Sequence, residues 1–235
     1  MISVVCFKWR PRAGYRSTYG PGTVNTLQRM VARHYGKPHR FICVTDDAQG
    51  LDPDVEVVPL WKDHAELPNP SFRTGPSCYR RLKVFARDMG AVLGERFACM
   101  DLDTVITGDL SPILDRTEDF IAWRNPDTRW PINGSFFMLT AGSRPQVWES
   151  FDPKTSPAKS HAAGCKGSDQ GWMSYVLSGE PTIGQEGGLY SYREDVARGG
   201  NKLPKHARMV FFHGHWDPWD PEVHKVAPWV TEHYR

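Results

Sequence analysis

Four short apolar runs, separated by helical or polar segments, set the first limit on what this chain can fold into. They are Ile2–Phe7 (ISVVCF), Arg40–Thr45 (RFICVT), Val55–Val58 and Arg96–Met100. Runs this short, bounded by turn residues or charge, read as buried strands. Between the first two, after a loop over residues 11–22, Val24, Leu27, Met30 and Val31 recur at helical spacing up to about His34. Gly36 follows as a stop. Residues 62–77 are rich in proline and polar side chains and read as a loop. A helix is expected over Cys78–Met89, with Leu82, Phe85, Ala86 and Met89 as its apolar stripe. Strands alternating with helices predict an α/β protein built on a Rossmann-like, mostly parallel sheet flanked by helices. Such sheets bind ligands beyond the carboxyl ends of their strands. The second half is less regular. Ile121–Trp123, Ser135–Leu139 and Met209–Phe212 read as strands, Pro145–Phe151 and Asp169–Leu177 as helices. With 235 residues and no shift in composition, one domain is expected.

Charge and composition narrow the partners. The 29 Lys and Arg nearly cancel the 27 Asp and Glu, which argues against a nucleic-acid binder. No apolar run is long enough to span a membrane, and the first residues lack the pattern of a signal peptide. The five cysteines are widely spaced and odd in number, so neither a disulfide framework nor a zinc site suggests itself; a cytoplasmic setting is the expectation. Nine tryptophans are a surplus that composition alone cannot place.

The strongest local signal follows the fourth strand: Asp101-Leu102-Asp103-Thr104. On an extended chain alternate side chains point the same way, so Asp101 and Asp103 can converge. Two carboxylates together call for a positive partner, and a divalent cation that also binds a diphosphate is one answer; solvated acids at a strand end are the other. Further on, Asn133-Gly134-Ser135 leads into an apolar strand. Ser168-Asp169-Gln170 opens a helix, with Ser168 or Asp169 as N-cap. His213-Gly214 follows an apolar strand, a good place for a metal ligand. Each of these alone also reads as a cap or a turn.

In this order the elements resemble the family-8 glycosyltransferases, the glycogenin and bacterial lipopolysaccharide galactosyltransferase group. Arg40–Asp47 (RFICVTDD) is similar to the opening of their nucleotide-binding region, and Tyr79-Arg80-Arg81-Leu82 looks like their Y-x-R-L. Asp101–Leu110 (DLDTVITGDL) is similar to their D-x-D-T-x-x-x-G-D-L core. Asn133-Gly134-Ser135 stands where they have N-S-G or N-S-S, Asp169-Gln170 matches their D-Q pair, and His213-Gly214 with Pro218-Trp219 resembles their closing H-x-G-x-x-K-P-W. Two positions depart: Asp217 stands in place of the lysine that would neutralise donor phosphates, and the Asn133-Gly134-Ser135 order is altered.

The resemblance implies a single GT-A domain over 1–235, with a nucleotide-binding half (1–110) and a sugar and acceptor half (111–235). It implies retaining hexosyl transfer from a nucleotide sugar, usually UDP-linked, to an unknown glycan, lipid or protein. Asp101 and Asp103 would hold Mn²⁺ or Mg²⁺, with His213 completing the protein's share; nitrogen beside oxygen suits Mn²⁺ better than Ca²⁺. Arg81, flanking the apolar stripe at about 100° per residue, would reach the donor, with Lys83 as second choice. Lys8, Trp9 and Tyr15 or Tyr19 would meet the nucleoside, and Asp46 and Asp47 would border it. Asn133, Gly214, Asp169 and Gln170 would surround the sugar and diphosphate, Asp169 and Gln170 orienting or stabilising the reaction. Loops 62–77, 124–132 and 153–168 would vary with the acceptor. Trp9, Trp123, Trp130, Trp172, Trp216 and Trp219 would border the cleft, leaving Trp61, Trp148 and Trp229 to packing. Two alternatives stand beside this. Asp101-Leu102-Asp103-Thr104-Val105 also resembles the nucleophile motif of haloacid-dehalogenase-type phosphatases, and Asp217 allows a nucleotide-sugar-binding module without turnover.

Overall fold

The structure, a computed structural model, describes residues 1–10, 19–69, 72–76 and 78–235. The first strand, β1 (Ile2–Lys8), is buried along its whole length, as a strand covered on both faces should be. After it come α1 (Pro21–His34), β2 (His39–Thr45) and β3 (Glu56–Pro59). Helix α1 opens on Pro21, whose missing N–H costs nothing at a helix start, and buries Val24, Leu27, Met30 and Val31. Within 62–77, read as loop from sequence, β4 (Pro68–Asn69) and β5 (Phe72–Pro76) form an antiparallel pair of their own. Proline confines strands to edges and ends, so this pair stands apart from the main sheet.

The expected helix over Cys78–Met89 is instead two 3₁₀ segments, Tyr79–Phe85 and Arg87–Met89, broken by extended Ala86 and followed by α2 (Gly90–Leu93). The apolar stripe is buried as anticipated, but Tyr79, Arg81 and Val84 are buried too. Burial on more than one side does not fit a single α-helical face. Trp61 Nε1 donates to the Arg80 carbonyl and helps pin the tighter turn.

The chain continues through β6 (Arg96–Met100), β7 (Thr104–Ile106), α3 (Ser111–Leu114), β8 (Phe120–Arg124), β9 (Ile132–Thr140), α4 (Gln146–Glu149), α5 (Ser156–Ala162) and α6 (Asp169–Val176). It closes with β10 (Thr182–Ile183), β11 (Leu189–Ser191), β12 (Met209–Phe211), α7 (Pro221–Val226) and α8 (Trp229–His233). The central sheet has seven strands in the order β10-β8-β9-β6-β1-β2-β3. Its pairs are parallel except where β9 runs against β6 and β8. A smaller sheet, β11-β12-β7, sets β12 antiparallel to β7.

Period-2 alternation divides the interior into two cores. Val4 and Cys6 of β1, Ala98 and Met100 of β6, and Phe136 and Met138 of β9 face the core shared with α1, the small sheet and α8. Val5 and Phe7, Phe97 and Cys99, and Phe137 and Leu139 face the other, closed by the 3₁₀ segments, α4 and α6. Phe137 stacks on Phe85 there, with ring centroids 5.4 Å apart. At the far edge β3 leaves Glu56 and Val57 exposed.

Phe137→Ala is therefore expected to cost about 3–5 kcal/mol in urea unfolding. Val57→Ala should stay within about 0.5 kcal/mol. Comparable losses at the two positions would contradict this layering.

Candidate active site

The site forms where β6 ends. The Asp101 N–H donates to the Ser135 carbonyl at 2.9 Å, and Thr104 Oγ1 donates back to the Asp101 carbonyl at 2.8 Å. Arg81 reaches across from the 3₁₀ segment. Its Nη1 donates to Asp101 Oδ1 at 2.8 Å and its Nη2 to the Gly134 carbonyl at 2.5 Å. Its Nε lies 3.3 Å from Asp169 Oδ2. That last pair lacks hydrogen-bond alignment, so the contact is coulombic. Arg81 is 7% exposed and Asp169 5%. Burial pulls the guanidinium pKa down, and Asp101 and Asp169 more than offset it. Burial also holds the Asp169 carboxyl above its usual range, with Arg81 opposing. The neighbouring Cys78 thiol is pushed up to about 12 by burial and by Asp169, so it stays protonated and unreactive.

Asn133-Gly134-Ser135 lies inside β9, not ahead of it. The register against β8 slips between Ala122, paired with Phe137, and Trp123, paired with Asn133. This irregularity re-aims the strand's polar groups, as bulges beside sites commonly do. The Gly134 carbonyl turns to Arg81, its N–H faces Gln170 Oε1 at 3.4 Å, and Asn133 Oδ1 accepts from the Ser135 N–H at 3.0 Å. A Cβ at 134 would sit 3.2 Å from the Gln170 Cβ, so only glycine lets α6 approach this closely. Asn133 Nδ2 donates to Asn125 Oδ1. Ser168 holds the N-cap position of α6 without capping it. Its hydroxyl accepts from the Cys78 N–H at 3.0 Å and donates to Asp169 Oδ1 at 3.2 Å.

The small sheet carries the third component. Strand β12 pairs with β7, and the Phe212 N–H donates to the Asp103 carbonyl at 2.9 Å, which brings the chain at His213 beside Asp103. Tyr19 donates to Asp103 Oδ2 at 3.3 Å, and His213 Nε2 pairs with Ser191 Oγ at 2.7 Å. Among the described residues no three His, Cys, Asp or Glu side chains stand together as a metal-holding group. As arranged, Asp101, Asp103 and His213 do not present a convergent ligand set. Gly214 has φ +104°, open to glycine. Asp217 is buried and its N–H donates to Asp220 Oδ2 at 2.8 Å, at the start of α7. Burial, then the charges of Asp103 and Asp217, raise the Tyr234 hydroxyl, so the C-terminal helix packs close to both acids. Ser191 and Tyr234 carry no motif signal in the sequence.

At the nucleoside end the buried Lys8 ammonium is committed to Asp47, 2.7 Å from its carbonyl and 3.4 Å from its carboxylate. It is 4% exposed and ties β1 to β2. Asp46 accepts from the Arg10 N–H at 2.9 Å. Trp9 lies under the Arg80 guanidinium, 5.2 Å away. Tyr19 meets Trp219 edge-on at 5.8 Å, while Tyr15 lies outside the described residues. Lys83 pairs with Asp63. Trp123 and Trp172 are buried in the cores, and Trp123 also borders a cavity with Arg124 and Asn125. Trp123 stacks on Phe211 at 4.2 Å, and Trp172 Nε1 donates to the Val147 carbonyl. A cavity of about 490 Å³ opens beside Asn133, Gln170 and His213 and is bounded by residues 125–130, Lys166 and Arg193.

No family model matches the sequence, and no curated protein matches it. Solved structures do match. The galactosyltransferase LgtC, in complex with donor and acceptor sugar analogues, superposes with a TM-score of 0.65 at 12% identity, covering 98% of this chain and 94% of that one. The Streptococcus pneumoniae glycosyltransferase GlyE gives 0.57 at 12% identity, over 94% of this chain and 57% of that one. The bifunctional glycosyltransferase WbbM gives 0.56 at 14% identity, over 98% and 50%. The chain has the GT-A fold expected from the sequence.

Removing one partner of a buried ion pair strands the others. Arg81→Ala is expected to cost about 3–5 kcal/mol in urea unfolding, since it leaves Asp169 buried and unpaired. Asp101→Ala should cost less, because Asp101 is 29% exposed. The reverse ranking would contradict the central place given to Arg81.

Proposed function

We propose that this chain transfers a hexose from a nucleotide-sugar donor, UDP-linked by its resemblance, to an acceptor hydroxyl with retention of configuration. The observation that carries the reading is the junction at Arg81. It joins Asp101, Gly134 and Asp169, one residue from each of three elements that the resemblance assigns to the donor site, within a chain of GT-A fold.

The surroundings of Asp169 bear on how configuration is retained. A covalent route needs a carboxylate oxygen open to the anomeric carbon. Asp169 is buried, with one oxygen facing Arg81 and the other accepting from Ser168. This favours an orienting role and front-face attack. The acceptor oxygen bonds the anomeric carbon, the bond to the diphosphate breaks, and a diphosphate oxygen takes the acceptor proton. Gln170 and Asn133 line the adjoining cavity, where their amides can stabilise the charge developing on the sugar. Asp101, Asp103 and His213 are the residues that would hold Mn²⁺ or Mg²⁺, which when bound would offset the negative charge of the diphosphate. The phosphatase alternative needs Asp101 free to attack phosphorus, whereas Arg81 holds its Oδ1 at 2.8 Å.

UDP titration read by tryptophan fluorescence, in Mn²⁺ and in chelator, tests the reading. UDP is expected to quench, and Asp103→Asn should weaken binding about tenfold, or about 1.4 kcal/mol, in Mn²⁺ only. Absence of UDP binding together with phosphate release from p-nitrophenyl phosphate would establish the phosphatase instead. UDP binding without donor cleavage would leave a binding module. Asp169→Asn should lower donor turnover at unchanged UDP affinity; near-normal turnover would remove that acid from the reaction.

A further inference from the structure

The cavity beside Gln170 holds more positive charge than its own carboxylates balance. Glu194 is paired twice, its Oε1 accepting from Arg193 Nε at 2.7 Å and its Oε2 lying 2.6 Å from Arg198 Nη2. Asp127 takes a two-pronged contact from Arg129, at 2.9 and 2.5 Å. Those bonds, with the charges of Arg129 and Lys166 adding to them and burial opposing, bring its carboxyl down to about 2. Lys166 has no hydrogen bond or ion pair among the described residues. Its ammonium lies 5.6 Å from the centre of the Trp130 ring, and the Arg129 guanidinium lies 5.1 Å from the same ring.

Trp130 borders the cavity but is largely buried. Its ring holds two cations beside one another, and the ring's attraction for a cation at an exposed site is modest. Their repulsion is relieved only in part, by the Asp127 carboxylate. Arg193 also lines the cavity, lying against Gly214, where a Cβ would come within 3.2 Å of its Nη1. Concave walls focus the field of such a set and raise the local concentration of an oppositely charged ligand. Arg129 and Lys166 come from segments 124–132 and 153–168, both expected from sequence to vary with the acceptor; the second contains α5, and Lys166 follows that helix. The nucleoside-end residues Lys8, Trp9 and Asp46 do not line this space among the described residues.

We infer that this cavity is an acceptor subsite for a sugar bearing an anionic group, a carboxylate or a phosphate, which Lys166 pairs with and Arg193 supports. The inference rests on the glycosyl-transfer reading and names its acceptor class. Asn133 and Gln170, on the same cavity, would place that sugar next to the donor's.

The test uses the full chain with saturating UDP, titrated with methyl β-D-glucoside, methyl β-D-glucuronide and glucose 6-phosphate, and followed by calorimetry. At least one acidic sugar is expected to bind about tenfold more tightly than the neutral one. Whichever of the two does so identifies the group as carboxylate or phosphate. Lys166→Ala should abolish the preference and leave UDP affinity unchanged. About 0.5 M salt should reduce it, because exposed charges are screened. Equal binding of neutral and acidic sugars, binding of none, or a preference that survives Lys166→Ala would overturn the subsite. A parallel arm compares UDP-glucuronic acid with UDP-glucose. If Lys166→Ala weakens only the acidic donor, the anion belongs to the donor and the acceptor assignment is wrong. Failure of UDP itself to bind removes the transferase reading and the acceptor with it. UDP binding without an acidic preference removes the subsite alone.

Discussion

A buried guanidinium is the constraint on which the site depends. Arg81 is enclosed by four separate pieces of chain: its own 3₁₀ segment, the end of β6, the irregular stretch of β9 and the start of α6. Taking a charge out of water is costly unless its partners are close and well placed. Here two carboxylates and one carbonyl supply them. Burial still holds the Asp169 carboxyl above its usual range, with Arg81 opposing and Asp101 adding to the rise. The acids cannot relax outward without stranding Arg81, so their spacing is set by the fold. Lys8 does similar work at the next strand end, where its commitment to Asp47 ties β1 to β2.

The two cores explain why these strand ends lie together. Strands β1, β6 and β9 send alternate side chains into each core, so all three are fixed on both faces. The small sheet then carries β12 back against β7, which makes Asp103 and the chain at His213 neighbours although they are distant in sequence. Gly134 and Gly214 sit at two close approaches, one against α6 and one against Arg193. A side chain at 134 would crowd Gln170 and Met173 of α6, and one at 214 would crowd the Arg193 guanidinium and strain a backbone that favours glycine.

Much of this was legible in the chain. Strands β1, β2 and β6 and helix α1 follow from apolar runs and periodicity, and the ordered motifs led to the fold. What escaped was decided by tertiary contacts. The 3₁₀ segment around Arg81 looks helical because its stripe is helical, yet burial of Tyr79, Arg81 and Val84 selects a tighter turn. Strand β9 starts earlier than its apolar residues suggest, because small polar residues occupy its irregular stretch. Trp123 and Trp172 neighbour motif residues in sequence but turn into the cores, since adjacent side chains on a strand point to opposite faces and a helix has an inner one. The commitment of Lys8 to Asp47 and of His213 to Ser191 depends on partners far along the chain, which no local pattern announces.

The most direct measurement of the central claim is proton NMR of the protein incubated with a panel of UDP-α-hexoses. Water stands in for the acceptor, so no acceptor need be known. Release of UDP with one hexose is expected, with the free sugar first appearing as its α-anomer, before mutarotation. Release of the β-anomer would contradict retention. No UDP release from any member of the panel would contradict a UDP-hexose transferase.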